Sequence, residues 1–205
     1  MNDEIKQESL SEDGKKKKIK SIVSWTITIV VCLVLAKLFT TFVIRSVEVD
    51  GGSMSTTLSD GDKAITDALF YKFSGINRFD IVIVKKKEGS YKDQELVKRV
   101  IALPGETIEY KEGVLYINGE VVEETFIKDE VKSITGTINK KTLGDDEYFV
   151  MGDNRGKSAD SRLKSIGLIK KNEIKGRGML RFMVCVKKDG NECIKRKLIW
   201  PSSVK

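Results

Sequence analysis

The chain has 205 residues, of which 40% are hydrophobic and 33% are charged, a balance that suits one globular domain with additional segments and excludes a disordered or fibrous protein. It contains no histidine, which excludes a Ser-His-Asp triad, a Cys-His pair and almost every zinc site, so any general base must be a lysine, a carboxylate or a terminal amine. The net charge of +7 comes largely from lysines at positions 15–18 and 20, and such a local excess does not predict a nucleic-acid-binding surface.

Two segments precede the part of the chain that is expected to be globular. Residues 1–20 are polar and lack a hydrophobic period, which predicts a solvated tail. Residues 21–44 are almost continuously apolar and long enough to cross a hydrocarbon core of about 30 Å as one helix. A cleaved signal peptide is the alternative, but this run is longer than the usual apolar region and ends without a small-residue cleavage site. The preceding lysines predict a transmembrane helix with a cytoplasmic N-terminus and residues 45–205 outside the cytoplasmic membrane.

Residues 45–205 carry mainly strand signals and predict an antiparallel β domain, whereas helical periodicity is confined to short pieces such as 170–174. Two hairpin turns are predicted at Glu112-Gly113 and Asn118-Gly119, between alternating apolar residues. The predicted strand regions are 81–84, 96–103, 107–122, 147–151 and 179–186.

Ser53 follows two glycines a few residues beyond the apolar run. Glycine allows unusual backbone dihedral angles and the close approach of a substrate carbonyl, as an oxyanion hole beside a nucleophile requires. Taken alone, however, a Gly-Gly-Ser segment is more often an ordinary turn.

Lys98 lies inside an apolar, β-like run, where the alternation of a strand places it on the same face as Leu96 and Val100. A lysine with the reference pKa of about 10.4 is a poor base at pH 7, whereas burial lowers the pKa toward the range of about 7 to 8 that suits general-base catalysis. The alternative is an edge-strand lysine that points to solvent.

Residues 151–167 mix Asp, Arg and Ser, which predicts a loop held by carboxylate–guanidinium pairs and hydroxyl hydrogen bonds. A calcium-binding loop is excluded, because Arg155 and Lys164 occupy the third and twelfth positions counted from Asp153, where oxygen ligands are required. No metal or cofactor is predicted. Cys185 and Cys193 flank a possible tight turn, and turn chemistry alone leaves a disulfide and two free thiols equally open.

Behind an N-terminal anchor, these three stretches resemble the type I signal peptidase family of Ser/Lys proteases, in its Gram-positive form. The matching motifs are Gly-x-Ser-Met-x-x-Thr-Leu at 51–58, Lys-Arg-Val-Ile-Ala-Leu-Pro-Gly at 98–105 and Gly-Asp-Asn-Arg-x-x-Ser-x-Asp-Ser-Arg at 152–162. The resemblance implies a serine endopeptidase that removes signal peptides from secreted preproteins at the outer face of the cytoplasmic membrane. It also implies an antiparallel β catalytic domain, cleavage after Ala-x-Ala sites and the lipid bilayer as a partner, with no nucleic acid, metal or cofactor.

The resemblance also assigns roles to individual residues. It implies that Ser53 is the nucleophile, that Lys98 is the general base and that Ser158 hydrogen-bonds to the lysine amine. The backbone N–H of Ser53 would serve the oxyanion hole. A supporting ion pair is implied at Asp160 and Arg162, and structural positions at Asp153, Asn154 and Arg155.

Three departures from the family pattern are visible. Thr56 stands where the family commonly has proline. Gly51 stands where some relatives carry a serine that helps the oxyanion hole, so a second donor in the Gly51 region is not identified. Residues 185–193 look irregular for the family. Two other functions remain open: a self-processing Ser/Lys protease, and an inactive membrane-tethered β module that only binds partners.

Overall fold

The computed structural model describes residues 2–189 and 192–203, and the chain divides into two compact units, Met1–Phe42 and Val43–Lys205. The first unit is one helix, α1 (Asn2–Phe42). Within α1, the segment Lys20–Phe39 has a mean hydropathy of 2.3 and is long and apolar enough to cross a membrane. The backbone of the polar segment that was predicted as a tail is therefore helical. The helix ends two residues before the expected end at Ile44, because Ile44 is already paired in a strand.

The second unit consists mainly of antiparallel strands, as predicted. Its strands are β1 (Ile44–Glu48), β2 (Lys63–Asp67), β3 (Ile81–Lys85), β4 (Glu95–Ala102), β5 (Thr107–Lys111), β6 (Val114–Ile117), β7 (Glu120–Val122), β8 (Ile138–Thr142), β9 (Glu147–Met151), β10 (Ile169–Lys170), β11 (Ile174–Asp189) and β12 (Glu192–Ser203). Two short α-helices, α2 (Tyr71–Ser74) and α3 (Asp129–Ser133), and a 3₁₀ turn (Lys171–Glu173) complete the described elements.

The strands form two sheets in the described part of the chain. The larger sheet has the order β1-β2-β11-β3-β4-β9-β10, with β12 paired to β11, and the smaller has the order β7-β6-β5-β8. Both predicted hairpin turns are confirmed: Glu112, Gly113, Asn118 and Gly119 all have φ between 52° and 87°, the conformation of tight two-residue hairpins.

Some elements differ from the prediction. β11 is longer than the predicted 179–186, and β1, β2, β8, β10 and β12 were not predicted as strands. β8 shows the reason, because four of its five residues are exposed and only its first is partly buried, so it lacks the apolar alternation that signals a strand. The predicted helical piece at 170–174 is a 3₁₀ turn between two strands.

The packing of β3 brings the Ser53 segment close to the strand that carries Lys98. All four residues from Ile81 to Val84 are buried, and they divide by alternation: Ile81 and Ile83 pack in one apolar cluster, and the two valines in another. Met54 and Leu58, just after Ser53, belong to the first cluster. Since β4 pairs directly with β3, the same packing lays the Ser53 segment beside the strand that carries Lys98.

Candidate active site

Ser53 and Lys98 are in direct contact. Lys98 Nζ lies 2.8 Å from Ser53 Oγ, and it also donates a hydrogen bond to the carbonyl oxygen of Val97 at 3.1 Å. The two residues are 45 positions apart in the chain, and the packing of the Ser53 segment on the large sheet brings them together. An amine at this distance can exchange a proton with the hydroxyl without an intervening water.

Lys98 is buried in an apolar environment, with 3% of its surface exposed. Its register partner on β3 is Val82, which is 1% exposed, as the predicted strand alternation requires. Burial lowers the pKa of Lys98 from 10.5 to about 8, and the negative charges of Asp160 and Asp153 oppose that decrease only in part. A substantial fraction of the amine is therefore neutral in mildly alkaline solution.

The loop at 152–155 holds the Ser53 segment through the side chain and backbone of Asn154. The Asn154 amide donates to the carbonyl oxygen of Gly52 at 2.9 Å and to Ser55 Oγ at 2.8 Å. The backbone N–H of Asn154 donates to the carbonyl oxygen of Ser53 at 2.9 Å. Three hydrogen bonds from one residue therefore fix the backbone on both sides of the hydroxyl.

Gly152 permits the close approach of the two segments. A Cβ at this position would lie 2.5 Å from the carbonyl oxygen of Ser53 and 2.6 Å from Ser158 Cβ, distances that real Cβ atoms do not adopt. The conformation of Gly152 is not the constraint, since its φ lies outside the left-handed region. The requirement for glycine is one of space beside the nucleophile.

Arg99, the neighbour of Lys98 on β4, was not assigned a role from the sequence. Its guanidinium donates to both carboxylate oxygens of Asp153, at 2.9 and 2.6 Å, and both side chains are buried to 1% exposure or less. Asp153 also accepts a hydrogen bond from the hydroxyl of Thr57. Asp153 thus links β4 to the Ser53 segment. Arg99 is charged and lies in a strand, so nothing in the sequence pattern indicates that it is buried.

The structure corrects the expected role of Ser158. Its hydroxyl oxygen is buried but has no hydrogen-bond partner among the described residues. Lys98 directs its amine to Ser53 and Val97 instead. The expected hydrogen bond between Ser158 and the lysine amine is therefore not formed in this structure.

Two arginines of the third motif, Arg155 and Arg162, pair with carboxylates. Arg162 donates to both carboxylate oxygens of Asp160 at 2.8 Å, as the resemblance implied. Arg155 pairs with Glu124 in a fully buried contact and donates to Thr135 Oγ1 at 3.0 Å. No role for Glu124 or Thr135 was predicted from the sequence. In the described part of the chain, no group of three or more Cys, Asp and Glu residues is placed to hold a metal ion.

The backbone around Ser53 limits which donors can serve an oxyanion hole. Gly51 has a φ of 85° and its N–H already donates to Asp60 Oδ1 at 2.9 Å, so Gly51 does not supply the second donor. Neither Gly52 nor Ser53 uses its backbone N–H in a hydrogen bond with the residues that the structure describes. The N–H of Ser53 is therefore not occupied by a hydrogen bond within this part of the chain.

A disulfide joins β11 to β12 and packs on the loop that follows the Ser53 segment. Cys185 and Cys193 are bonded, with their Cα atoms 5.8 Å apart, which decides the alternative that the sequence left open. A Cβ on Gly61 would lie 2.8 Å from Cys193 Cβ, and the backbone N–H of Cys185 donates to Asp62 Oδ1 at 3.0 Å. The hairpin thus supports the loop at 59–62.

Comparisons with known proteins identify the family of this chain. Residues 22–183 match the family model described as signal peptidase, peptidase S26. Signal peptidase I of Bacillus licheniformis is 34% identical over 84% of this chain and 95% of its own length. Signal peptidase I S of Bacillus subtilis (strain 168) is 36% identical over 84% and 94%, and signal peptidase IB of Staphylococcus aureus (strain COL) 33% identical over 80% and 90%. The chain therefore belongs to the signal peptidase family, peptidase S26, and is a serine endopeptidase of the signal peptidase I type.

Proposed function

We propose that Ser53 is the nucleophile and Lys98 the general base with which this chain removes signal peptides from preproteins. The observation that carries this assignment is the 2.8 Å separation between Ser53 Oγ and the amine of a lysine that is 3% exposed. Burial lowers the pKa of that amine to about 8. In its neutral form the amine can accept the hydroxyl proton, which is the function that an imidazole performs in other serine proteases.

The reaction is acyl transfer in two steps. Lys98 accepts the Ser53 proton while Oγ attacks the scissile carbonyl, and the backbone N–H of Ser53 donates to the resulting oxyanion. The lysine ammonium then gives its proton to the leaving amine, and the C–N bond breaks to form an acyl-enzyme. Lys98, neutral again, takes a proton from water as the water oxygen attacks the ester carbonyl. It then returns that proton to Ser53 Oγ as the acyl–oxygen bond breaks, which restores the serine hydroxyl and the neutral amine.

We also propose the cleavage-site type and the location. The family resemblance supports small residues, usually alanine, at the first and third positions before the cut. The length and hydropathy of Lys20–Phe39 support a membrane anchor. The lysines that precede this segment support a cytoplasmic N-terminus and a catalytic unit outside the cytoplasmic membrane.

The two alternative functions make different predictions. An inactive binding module has no use for a buried lysine beside a hydroxyl, because burying the amine lowers its pKa at the expense of folding free energy. A self-processing protease would leave an added preprotein intact. Cleavage of a separate substrate therefore distinguishes the proposed function from both.

The test uses the purified full chain in detergent micelles with a preprotein that contains one Ala-x-Ala site. We expect a single cut, after the second alanine, as identified by mass spectrometry of the two fragments. Ser53→Ala and Lys98→Ala should each reduce the product below detection while the far-ultraviolet circular dichroism stays unchanged. Lys141→Ala, at an exposed lysine of β8, is the matched control and should retain full activity. Activity in Lys98→Ala would disprove the dyad.

A further inference from the structure

An ion pair joins two strands of the large sheet that are not neighbours. Arg45 Nη2 donates to both carboxylate oxygens of Glu95, at 2.8 and 3.0 Å, and the two side chains are 42% and 33% exposed. Arg45 lies on β1 and Glu95 on β4, and β2, β11 and β3 stand between these strands in the order of the sheet. The sheet therefore curls, so that its first strand approaches the beginning of its fifth.

Each of these two strands has an edge without a strand partner near the ion pair. Among the described strands, β1 pairs with β2 alone. β4 pairs with β3 along residues 95–99, but its pairing with β9 begins only at Arg99. β1 and β4 are parallel, because each step of the sheet order between them is antiparallel. Residues 45–48 and 95–98 therefore form the two sides of a groove that runs from the ion pair to Lys98.

The floor of this groove is apolar between the ion pair and the nucleophile. Val47 and Val97 each lie two residues beyond a member of the pair, on the same face of the strand. Both valines are partly buried against the apolar cluster that contains Met54, the residue after Ser53. The groove is thus charged at one end and apolar along the part that approaches Ser53.

The ion pair can span a gap that holds one extended chain. Neighbouring strands lie about 4.8 Å apart, so a chain inserted between β1 and β4 needs about 9.6 Å between their backbones. Arg45 and Glu95 contact each other through the ends of two long side chains, which can reach across that distance. The occupant to which the groove points is the substrate, because the Ser53 hydroxyl and the Lys98 amine lie at its other end.

The distance from the dyad to the ion pair corresponds to about three residues of an extended substrate. Glu95 precedes Lys98 by three residues, or about 10 Å of strand. A substrate whose last residue before the cut contacts Ser53 therefore has its fourth residue before the cut, or the fourth after it, beside the ion pair. β1 begins at Ile44, two residues after α1 ends at Phe42. Because the proposed function places a signal peptide in the same bilayer as α1, we assign this end of the groove to the residues before the cut.

We propose that Arg45 and Glu95 determine which residues are accepted at the fourth position before the cut. The proposal rests on the proposed function and deepens it, since it names the class of residue that this site accepts. The two charges of the pair cancel, so an uncharged residue leaves the pair intact. A charged residue of either sign must compete with one member of the pair for the other. The pair therefore selects uncharged residues, and removal of one member should create a preference for the charge opposite to the member that remains.

The test compares short soluble peptides that differ at one position. The full chain in detergent micelles cleaves peptides with one Ala-x-Ala site and alanine, lysine or glutamate at the fourth position before the cut. A second set carries the same three residues at the fourth position after the cut. The measured quantity is kcat/KM for each peptide, with the parent, Arg45→Ala, Glu95→Ala and the exchanged pair Arg45→Glu/Glu95→Arg.

We expect the parent to cleave the alanine peptide of the first set severalfold faster than the lysine and glutamate peptides. Arg45→Ala should prefer lysine to glutamate severalfold, and Glu95→Ala should prefer glutamate to lysine. The exchanged pair should restore the parental order. Salt at about 1 M should reduce each preference, because partly exposed charges are screened. The matched controls are Lys111→Ala and Glu109→Ala, which open an ion pair of 3.6 Å on β5 of the small sheet and should keep the parental order.

Several results would overturn the proposal. One is the same order of the three peptides in the parent and in both single variants, and another is failure of the exchanged pair to restore the parental order. Preferences that change only in the second set would place the residues after the cut beside the ion pair, and would also overturn it. If the parent cleaves neither these peptides nor a preprotein, the proposed function itself is wrong. If the parent cleaves the alanine peptide but the single variants show no opposite preferences, only the role of Arg45 and Glu95 is wrong.

Discussion

Lys98 and Arg99 are adjacent basic residues of β4, and both side chains are buried. Arg99 contacts a carboxylate, whereas Lys98 contacts neutral oxygen atoms. Arg99 is fully buried and pairs with both carboxylate oxygens of Asp153. Lys98 is buried to 3% exposure, but its amine hydrogen-bonds to a hydroxyl and a carbonyl oxygen. Burial with a bound carboxylate preserves a charge, whereas burial without one favours the neutral form. The comparison explains how a chain without histidine obtains a base from one of two neighbouring cations.

The largest effect on stability is expected at the paired cation. Arg99→Met leaves the buried Asp153 without its guanidinium partner, which typically costs about 3 to 5 kcal/mol of unfolding free energy. Urea denaturation of the variant and the parent in the same detergent measures the loss. Arg99→Met/Asp153→Asn should recover part of it, because no buried carboxylate then remains unpaired. A loss of less than about 1 kcal/mol in the single variant would show that the pair contributes no more than a surface ion pair.

Replacement of Lys98, whose amine contacts no carboxylate, should have the opposite effect on stability. The pKa of Lys98 is about 8 in the folded state and 10.5 in the unfolded state. At pH 7 this difference corresponds to a cost of about 3 kcal/mol for holding the charged amine in the folded state. Lys98→Met should therefore raise the unfolding free energy at pH 7. The sign follows from the direction of the pKa change: the cost is fully present below pH 8, decreases between pH 8 and 10.5 as the folded state loses the proton first, and disappears above that range.

The measurement is the difference in unfolding free energy between parent and Lys98→Met from pH 7 to pH 10.5. Lys141→Met serves as the control for a lysine that remains solvated. The difference should shrink with pH for Lys98 and remain flat for Lys141. If Lys98→Met destabilises the protein at every pH, Lys98 would be a structural cation like Arg99.

The position of Ser53 beside Lys98 should be sensitive to one added methyl group at Gly152. Gly152→Ala places a Cβ 2.5 Å from the Ser53 carbonyl oxygen, so the two segments must move apart, and a displacement of about 1 Å lowers the turnover rate by about 100-fold. Steady-state cleavage of the preprotein tests this. At Gly156 a Cβ would meet only the end of the Ile134 side chain, at 3.2 Å, and Gly156→Ala should retain the parental rate. Equal rates in the two variants would mean that the site tolerates the displacement.

The smallest effect is expected at the disulfide between β11 and β12. Cys185→Ser/Cys193→Ser opens a disulfide whose cysteines are eight positions apart, which should lower the unfolding free energy by about 2 kcal/mol. Because Cys185 hydrogen-bonds to Asp62, the cleavage rate should also decrease, by less than in Gly152→Ala. Cys32→Ser, in α1, is the control. An unchanged midpoint of urea denaturation would show that the hairpin does not support the loop at 59–62.

The sequence predicted the parts of this site that depend on local pattern and motif. The alternation in β4 indicated an apolar face for Lys98, and the order of three motifs brought Ser53 and Lys98 together by resemblance. It did not reveal the pairs of Arg99 with Asp153 and of Arg155 with Glu124, since partners 54 and 31 positions apart meet only in the folded sheets. The role of Ser158 could not be predicted for a related reason, because the direction of one hydroxyl depends on tertiary packing.

The central claim is that the Lys98 amine is neutral over an accessible pH range. It is tested most directly by a nuclear magnetic resonance titration of the lysine side-chain carbons in the Ser53→Ala protein, with the Lys98 signal assigned by comparison with Lys98→Arg. The account predicts a midpoint near pH 8 for Lys98, well below that of the exposed lysines. A midpoint near 10.5, together with those of the other lysines, would contradict it.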